Sequence, residues 1–194
     1  FLYKKYFIIK KLTNVCFIRI PKNASSTIYT HLDKVNIIRD EKLKELFKHK
    51  KYNSIFAPSH CKMSEALKYL GSDIFDNPTF CICRNPYDRM VSEYSYYISS
   101  GLKSFIDLGV TSFEEYVDMC ISLKEIEISL KEEEEMFSLM WMSQTDYIDF
   151  NKNITILRYE KLNEDFENFV LDNNIDIDLQ LPWLNKSREN NYKD

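Results

Sequence analysis

Phe17-Ile18-Arg19-Ile20-Pro21-Lys22-Asn23-Ala24-Ser25-Ser26-Thr27-Ile28 is the stretch on which the reading of this chain turns. An apolar run stops at a proline, a lysine follows, and small hydroxyl residues lead into a helical pattern. That order builds an anion cradle at the end of a strand. A helix N-terminus leaves several backbone N–H groups without intrahelical partners and carries partial positive charge. Ser25, Ser26 and Thr27 are able to cap those groups or bond an anion, and Lys22 adds a full charge. The nucleoside triphosphate loop G-x-x-x-x-G-K-[ST] is a different device, because its glycines wrap the backbone around the phosphates and its lysine comes late. Here the loop has no glycine and the lysine comes early. Taken alone, the segment is also readable as a capped helix beside a surface lysine.

A second stretch, Thr79-Phe80-Cys81-Ile82-Cys83-Arg84-Asn85-Pro86-Tyr87-Asp88-Arg89-Met90-Val91-Ser92-Glu93-Tyr94, repeats the logic. An apolar strand ends at Arg84, and Asn85-Pro86 breaks it and opens a helix with proline in its favoured first turn. Tyr87, Met90, Val91, Tyr94, Tyr97 and Ile98 recur at helical spacing and predict one apolar stripe, with Ser92 off it. Arg84 at the strand end suits a bidentate grip on phosphate, to which Ser92 adds a hydroxyl. An arginine paired with Asp88 across the helix start is the alternative.

Together the two segments resemble the sulfotransferases that use 3′-phosphoadenosine 5′-phosphosulfate (PAPS). In that family a Pro-Lys-x-[GA]-[ST]-[ST] loop holds the 5′-phosphosulfate. A later Arg-[NDE]-Pro-x-[DE]-[RA]-x-x-Ser-x-[YF] segment holds the 3′-phosphate. Pro21 to Ser26 fits the first pattern and Arg84 to Tyr94 the second, including the interval from Arg84 to Ser92. The likeness runs from Val15 to the end of the chain and is closest to the carbohydrate branch, which includes heparan sulfate 2-O-sulfotransferase. It implies an α/β, P-loop-NTPase-like fold with a mainly parallel central sheet and helices on both faces. PAPS is then the co-substrate, with no metal needed, and the acceptor is a hydroxyl of a glycan. Lys22 with the N–H groups of Asn23, Ala24, Ser25, Ser26 and Thr27 would hold the phosphosulfate. Lys22 would also stabilise the leaving oxygen, by analogy with phosphoryl transfer.

Three histidines are available as a proton acceptor: His31, His49 and His60. His60 follows an expected strand at Ser54–Pro58, so it belongs at the sheet edge where open α/β sheets bind ligands. An unperturbed imidazole titrates near neutrality and suits proton removal. Ser59-His60-Cys61 loosely matches the position of the catalytic histidine in the heparan 2-O branch. A capping or core role is the alternative for His60. His31, inside the first helix, and His49, in a lysine-rich stretch, read as structural or solvated. Arg158-Tyr159-Glu160-Lys161-Leu162 resembles the family segment whose tyrosine lies near the adenine, which makes Tyr159 a candidate contact or a helix-start core residue. Asn185-Lys186-Ser187-Arg188 resembles the tail loop that closes over the nucleotide, so Lys186, Ser187 and Arg188 are candidates for the 3′-phosphate. Gln144, in Ser143-Gln144-Thr145-Asp146-Tyr147, fits a family-like segment without an assignable chemistry.

With 194 residues, 44% hydrophobic and 29% charged, the chain reads as one globular domain spanning 1–194. A net charge of −4 leaves no nucleic-acid footprint. The five cysteines, Cys16, Cys61, Cys81, Cys83 and Cys120, lack metal-ligand spacing and read as reduced, mostly buried thiols. No segment approaches the ~20 apolar residues of a membrane span. The chain begins at Phe1, which leaves an upstream anchor of the Golgi type open. A bacterial or viral protein would be cytoplasmic, whereas a eukaryotic fragment missing its anchor would belong to the Golgi lumen.

The remaining pattern predicts strands at Asn14–Ile20, Ser54–Pro58 and Ile154–Leu157. Helices are expected from Ser25, over Asp40–Lys51, over Met63–Leu70 up to Gly71, over Pro86–Ser100, and through Leu162, Phe166, Phe169 and Val170. Ser112-Phe113-Glu114-Glu115 reads as a capping box. Lys131-Glu132-Glu133-Glu134-Glu135 reads as a solvated helix face, and the region from Gly101 to Gln144 as the wall of the acceptor cleft. A nucleotide kinase of the same architecture and a non-catalytic nucleotide-binding module remain as alternatives.

Overall fold

The computed structural model describes residues 15–32, 60, 62–64, 67, 71–100, 109–125 and 142–182. The expected segments Asp40–Lys51, Ser54–Pro58 and Lys131–Glu135, together with Cys61, Lys186, Ser187 and Arg188, lie outside the described residues.

Three strands form a parallel sheet in the order β1-β2-β3: β1 is Cys16–Ile18, β2 is Thr79–Cys83 and β3 is Thr155–Arg158. β1 is shorter than the expected Asn14–Ile20, because Arg19 and Ile20 leave the ladder ahead of Pro21, which has no N–H to give. β3 lies one residue later than expected. Four α-helices accompany the sheet among the described residues: α1, Ser25–His31; α2, Pro86–Ser100; α3, Phe113–Glu125; and α4, Leu162–Asp172.

The period-2 alternation of the strands sends side chains to two separate cores. Val15, Phe80, Ile82 and Leu157 pack with Ile28 and Leu32 at the α1 end of the chain and with Phe166, Phe169 and Val170 of α4. Cys16, Ile18, Ile20 and Cys81 pack on the other face with Met63, Phe75 and Tyr147. Both faces are therefore covered, as a parallel sheet requires. A third cluster joins Tyr97 of α2 to Tyr116 and Cys120 of α3, with Met90 and Tyr94 packed against it. The predicted stripe on α2 is only partly inward: Tyr87 is 79% and Ile98 52% exposed, while Arg89 and Glu93 are buried. Helical spacing of apolar residues marked the right turns but not the charged pair that occupies the inner face.

Local signals hold where they depend on neighbours. The Glu115 N–H donates to Ser112 Oγ (3.1 Å) and the Ser112 N–H donates back to Glu115 Oε2 (3.1 Å), the reciprocal geometry of a capping box. Gly71, at φ 87°, closes the helical residues Met63, Ser64 and Leu67, its N–H donating to the Leu67 carbonyl at 3.1 Å. The cysteines described (Cys16, Cys81, Cys83 and Cys120) are all free thiols, and no described helix is long and apolar enough to cross a membrane.

Candidate functional site

Because all three strands run parallel, their carboxyl ends open on the same edge, and each delivers one candidate segment there. β1 leads through Arg19 and Ile20 into the Pro21–Thr27 loop, β2 into Arg84, and β3 into Tyr159. The register pairs Cys83 with Arg158, so Arg84 and Tyr159 are the next residues beyond the ladder. The Arg84 guanidinium lies over the Tyr159 ring, 4.2 Å from its centroid. Tyr159 also packs against the core below, as the helix-start core reading of this residue expects.

The first loop turns without glycine. Lys22 and Ala24 adopt φ 64° and φ 55°, left-handed positions that side-chain-bearing residues seldom take. Ala24 occupies the N-cap of α1, and no side chain caps that helix. The Ser25 hydroxyl instead donates to the Ile20 carbonyl (2.8 Å), tying the loop to the strand end, so the backbone N–H is what Ser25 has to offer an anion. Ser26 is exposed and Thr27 buried. Asn23 is only 1% exposed, and its Nδ2 donates to the Ile82 carbonyl and to Gln144 Oε1, both at 2.6 Å.

Arg84 joins the two loops directly, its Nη1 donating to the Lys22 carbonyl at 3.1 Å. The alternative pairing of Arg84 with Asp88 is not what this side chain adopts. Its Nε is buried with no hydrogen-bond partner among the described residues. The Glu160 carboxylate accepts from the Asn85 N–H (2.7 Å) and holds the second loop against the residues after β3.

The inner face of α2 runs along the first loop. Arg89 Nε donates to the Pro21 carbonyl (3.2 Å) and its Nη1 to the Met142 carbonyl (2.9 Å). Tyr96 lies two turns further on, and Lys22 Nζ sits 4.1 Å from its ring centroid. Ser92 falls between them on that face at helical spacing and is half-buried. Glu93, 1% exposed, is the carboxylate whose charge acts on Lys22. Burial outweighs the attraction of Arg89 and Lys22 and pushes its pKa up to about 8. Burial likewise lowers the Lys22 amine to about 8, against the pull of Glu93. In the sequence Arg89 stands in the Arg84–Tyr94 pattern without an assigned role, and Glu93 and Tyr96 carry no signal of their own beyond the four-residue spacing of Arg89 and Glu93.

His60 does come to this edge. Its Nδ1–H donates to the Arg19 carbonyl (2.8 Å), which leaves the acceptor lone pair of the neutral ring on Nε2. The expected near-neutral titration does not survive folding. Burial, followed by the charges of Arg19, Arg89 and Lys22, lowers the imidazole to about 4. His31, by contrast, bonds the Asp178 carbonyl (2.6 Å), away from these groups. Among the described residues no group of three or more His, Cys, Asp and Glu side chains is placed to hold a metal ion.

Residues 5–193 match the Sulfotransferase family. The chain belongs to the sulfotransferase family. No curated protein and no solved structure matches it. The small parallel sheet with its helices is accordingly the α/β, P-loop-like sulfotransferase fold, and the family points to sulfuryl transfer from a sulfate donor to an acceptor.

Proposed function

We propose that this sulfotransferase moves a sulfuryl group from PAPS to a hydroxyl of a carbohydrate and releases 3′,5′-bisphosphoadenosine. The observation that carries this reading is the adjacency of the two loops: residues 62 apart in sequence meet where Arg84 Nη1 donates to the Lys22 carbonyl. Arg19, Lys22, Arg84 and Arg89 all lie at this edge; Lys22 and Arg89 face Glu93, whose pKa burial pushes up to about 8, while Glu160 is engaged by the Asn85 N–H. A chain of net charge −4 thus has a locally positive sheet edge, suited to a donor charged at both ends.

When bound, PAPS supplies an activated sulfuryl group on an anionic leaving phosphate. In this reading Lys22 faces the charge that builds on the leaving oxygen, a contribution strongest in the transition state. Asn23, Ala24, Ser25, Ser26 and Thr27 present backbone N–H groups to the phosphosulfate. Arg84, through its unpartnered Nε, and Ser92 hold the 3′-phosphate, with Lys186, Ser187 and Arg188 adding to it. Tyr159 contacts adenine with the part of the ring that Arg84 does not cover. His60, held by the Arg19 carbonyl, takes the acceptor proton on Nε2. The glycan acceptor and the heparan 2-O-like branch rest on the sequence resemblance.

Calorimetric titration with 3′,5′-bisphosphoadenosine tests the donor half, and binding that Lys22→Ala and Arg84→Ala each weaken is the expected result. No binding heat and no thermal shift would reject it. Displacement of the bisphosphate by magnesium-ATP would favour the kinase alternative. For the acceptor half, PAPS is incubated with a glycan panel and each product is weighed for the gain of one SO3 unit. Transfer to none of them, with binding intact, would favour a nucleotide-binding module.

A further inference from the structure

We propose that Gln144 is a positioning residue that fixes the separation of the two anion-holding loops. Three hydrogen bonds carry the argument. Gln144 Oε1 accepts from the Arg84 N–H (2.9 Å), and Gln144 Nε2 donates to the Arg84 carbonyl (2.8 Å). One side-chain amide therefore satisfies both backbone groups of Arg84, as a paired strand residue would, one position past the end of the β2–β3 ladder. The same Oε1 accepts from Asn23 Nδ2 at 2.6 Å. Asn23 in turn gives its other amide hydrogen to the Ile82 carbonyl, so its two donors are both engaged. The result is a continuous amide chain from the Lys22 loop, through Asn23 and Gln144, to the backbone of Arg84.

The support behind Gln144 is a capped turn seated in a core. Its one-turn 3-10 helix, Gln144–Tyr147, opens at Ser143, whose Oγ accepts from the Thr145 N–H. The turn is anchored by the fully buried Tyr147 in the core under β1 and β2. Just upstream, the Met142 carbonyl is held by Arg89, the residue that also holds Pro21. The segment thus braces both loops at once, and Gln144 is the member that touches each of them by hydrogen bond.

A ligand gripped at two ends gains affinity from the second contact only while the grips keep the right spacing. This inference rests on the reading above, in which the bisphosphate spans both loops while adenosine 5′-phosphate and adenosine 3′-phosphate each engage one. Gln144→Met keeps the length of the side chain and removes all three bonds. The expected calorimetric result is a loss of about tenfold or more in bisphosphate affinity, with each monophosphate changed by less than about threefold. Equal losses on all three ligands, or no loss on any, would overturn the proposal. Gln144→Glu, which keeps the two accepted bonds and breaks the donated one, should show the same selectivity in weaker form and replaces the methionine variant if that fails to fold. If neither variant folds, the role is structural and the proposal is rejected. Wild-type protein that binds neither the bisphosphate nor a monophosphate would defeat the PAPS reading itself, whereas wild-type binding with unselective variants defeats only the role of Gln144.

Discussion

The Arg84 guanidinium is stacked on Tyr159, 4.2 Å from the ring centroid, while its Nη1 reaches the Lys22 carbonyl at 3.1 Å. The ring therefore sets the plane in which the guanidinium presents its remaining N–H groups. A cation over an aromatic face is worth about 0.5–2 kcal/mol depending on desolvation. Tyr159→Leu should cost roughly that much in thermal stability and weaken bisphosphate binding severalfold, whereas Tyr159→Phe, which keeps the face, should leave the Arg84 orientation intact. Bisphosphate titrations of both variants check this, and wild-type affinity in Tyr159→Leu would show that the stack does not orient Arg84.

The turn between Pro21 and α1 rests on two left-handed residues, and Ala24 is the one without a functional side chain. Glycine there removes the strain but also loses a partly buried methyl and gains freedom when unfolded, so Ala24→Gly should change stability by less than about 0.5 kcal/mol. Valine cannot share that balance. A β-branched residue at positive φ is an outlier, and Ala24→Val should cost about 2 kcal/mol or more. Denaturant melts of the two variants check the contrast, and a valine variant as stable as wild type would show that the turn relaxes.

Parts of this architecture were open to inspection in the sequence because their causes are local. Pro86 after an apolar run marks both the end of β2 and the start of α2, and Ser112 with Glu115 marks α3. The burial of Arg89 and Glu93 is not legible, since charged residues on a helix ordinarily face water, and the Lys22 loop together with Tyr116 of α3 turns that face into an interior. The role of Gln144 is not readable from its segment, because its partners lie 60 and 121 residues away. The titration of His60 is non-local in the same way: burial, and after it the charges of Arg19, Arg89 and Lys22, act on the ring only in the folded chain.

His60 gives a pH dependence with a definite sign. Its folded pKa of about 4 lies below the ordinary 6.5, so the unfolded chain binds more protons between those values. The contribution of His60 to stability is then fully present above about pH 6.5 and is lost as the pH falls toward 4. His60→Asn should flatten that part of the stability profile, read from melting temperatures between pH 4 and 7. Anion binding should act in the opposite direction on the same group, because it offsets the charges of Arg19, Arg89 and Lys22. Bisphosphate binding near pH 6 should therefore take up protons, seen as a dependence of the binding heat on buffer ionisation enthalpy, and His60→Asn should reduce it. Uptake unchanged in the variant would assign it to another group.

Glu93 and Lys22 act on each other's charge, and the sign for Glu93 is reversed. A carboxyl raised from 4.5 to about 8 is protonated in the folded chain over a range where the unfolded chain is ionised. Its contribution favours folding below about pH 4.5 and is lost as the pH rises through 8. Gln matches the protonated carboxyl in shape, so Glu93→Gln should be near neutral at pH 5 and more stable than wild type by about 1 kcal/mol or more at pH 8. The same change removes the charge that partly supports the Lys22 amine, already lowered to about 8. Lys22 should then lose its proton at lower pH, and the alkaline limb of turnover should move down with it. A variant with wild-type stability at pH 8 and an unmoved alkaline limb would mean that Glu93 is ionised in the folded protein, paired with Arg89 and Lys22 strongly enough to overcome its burial.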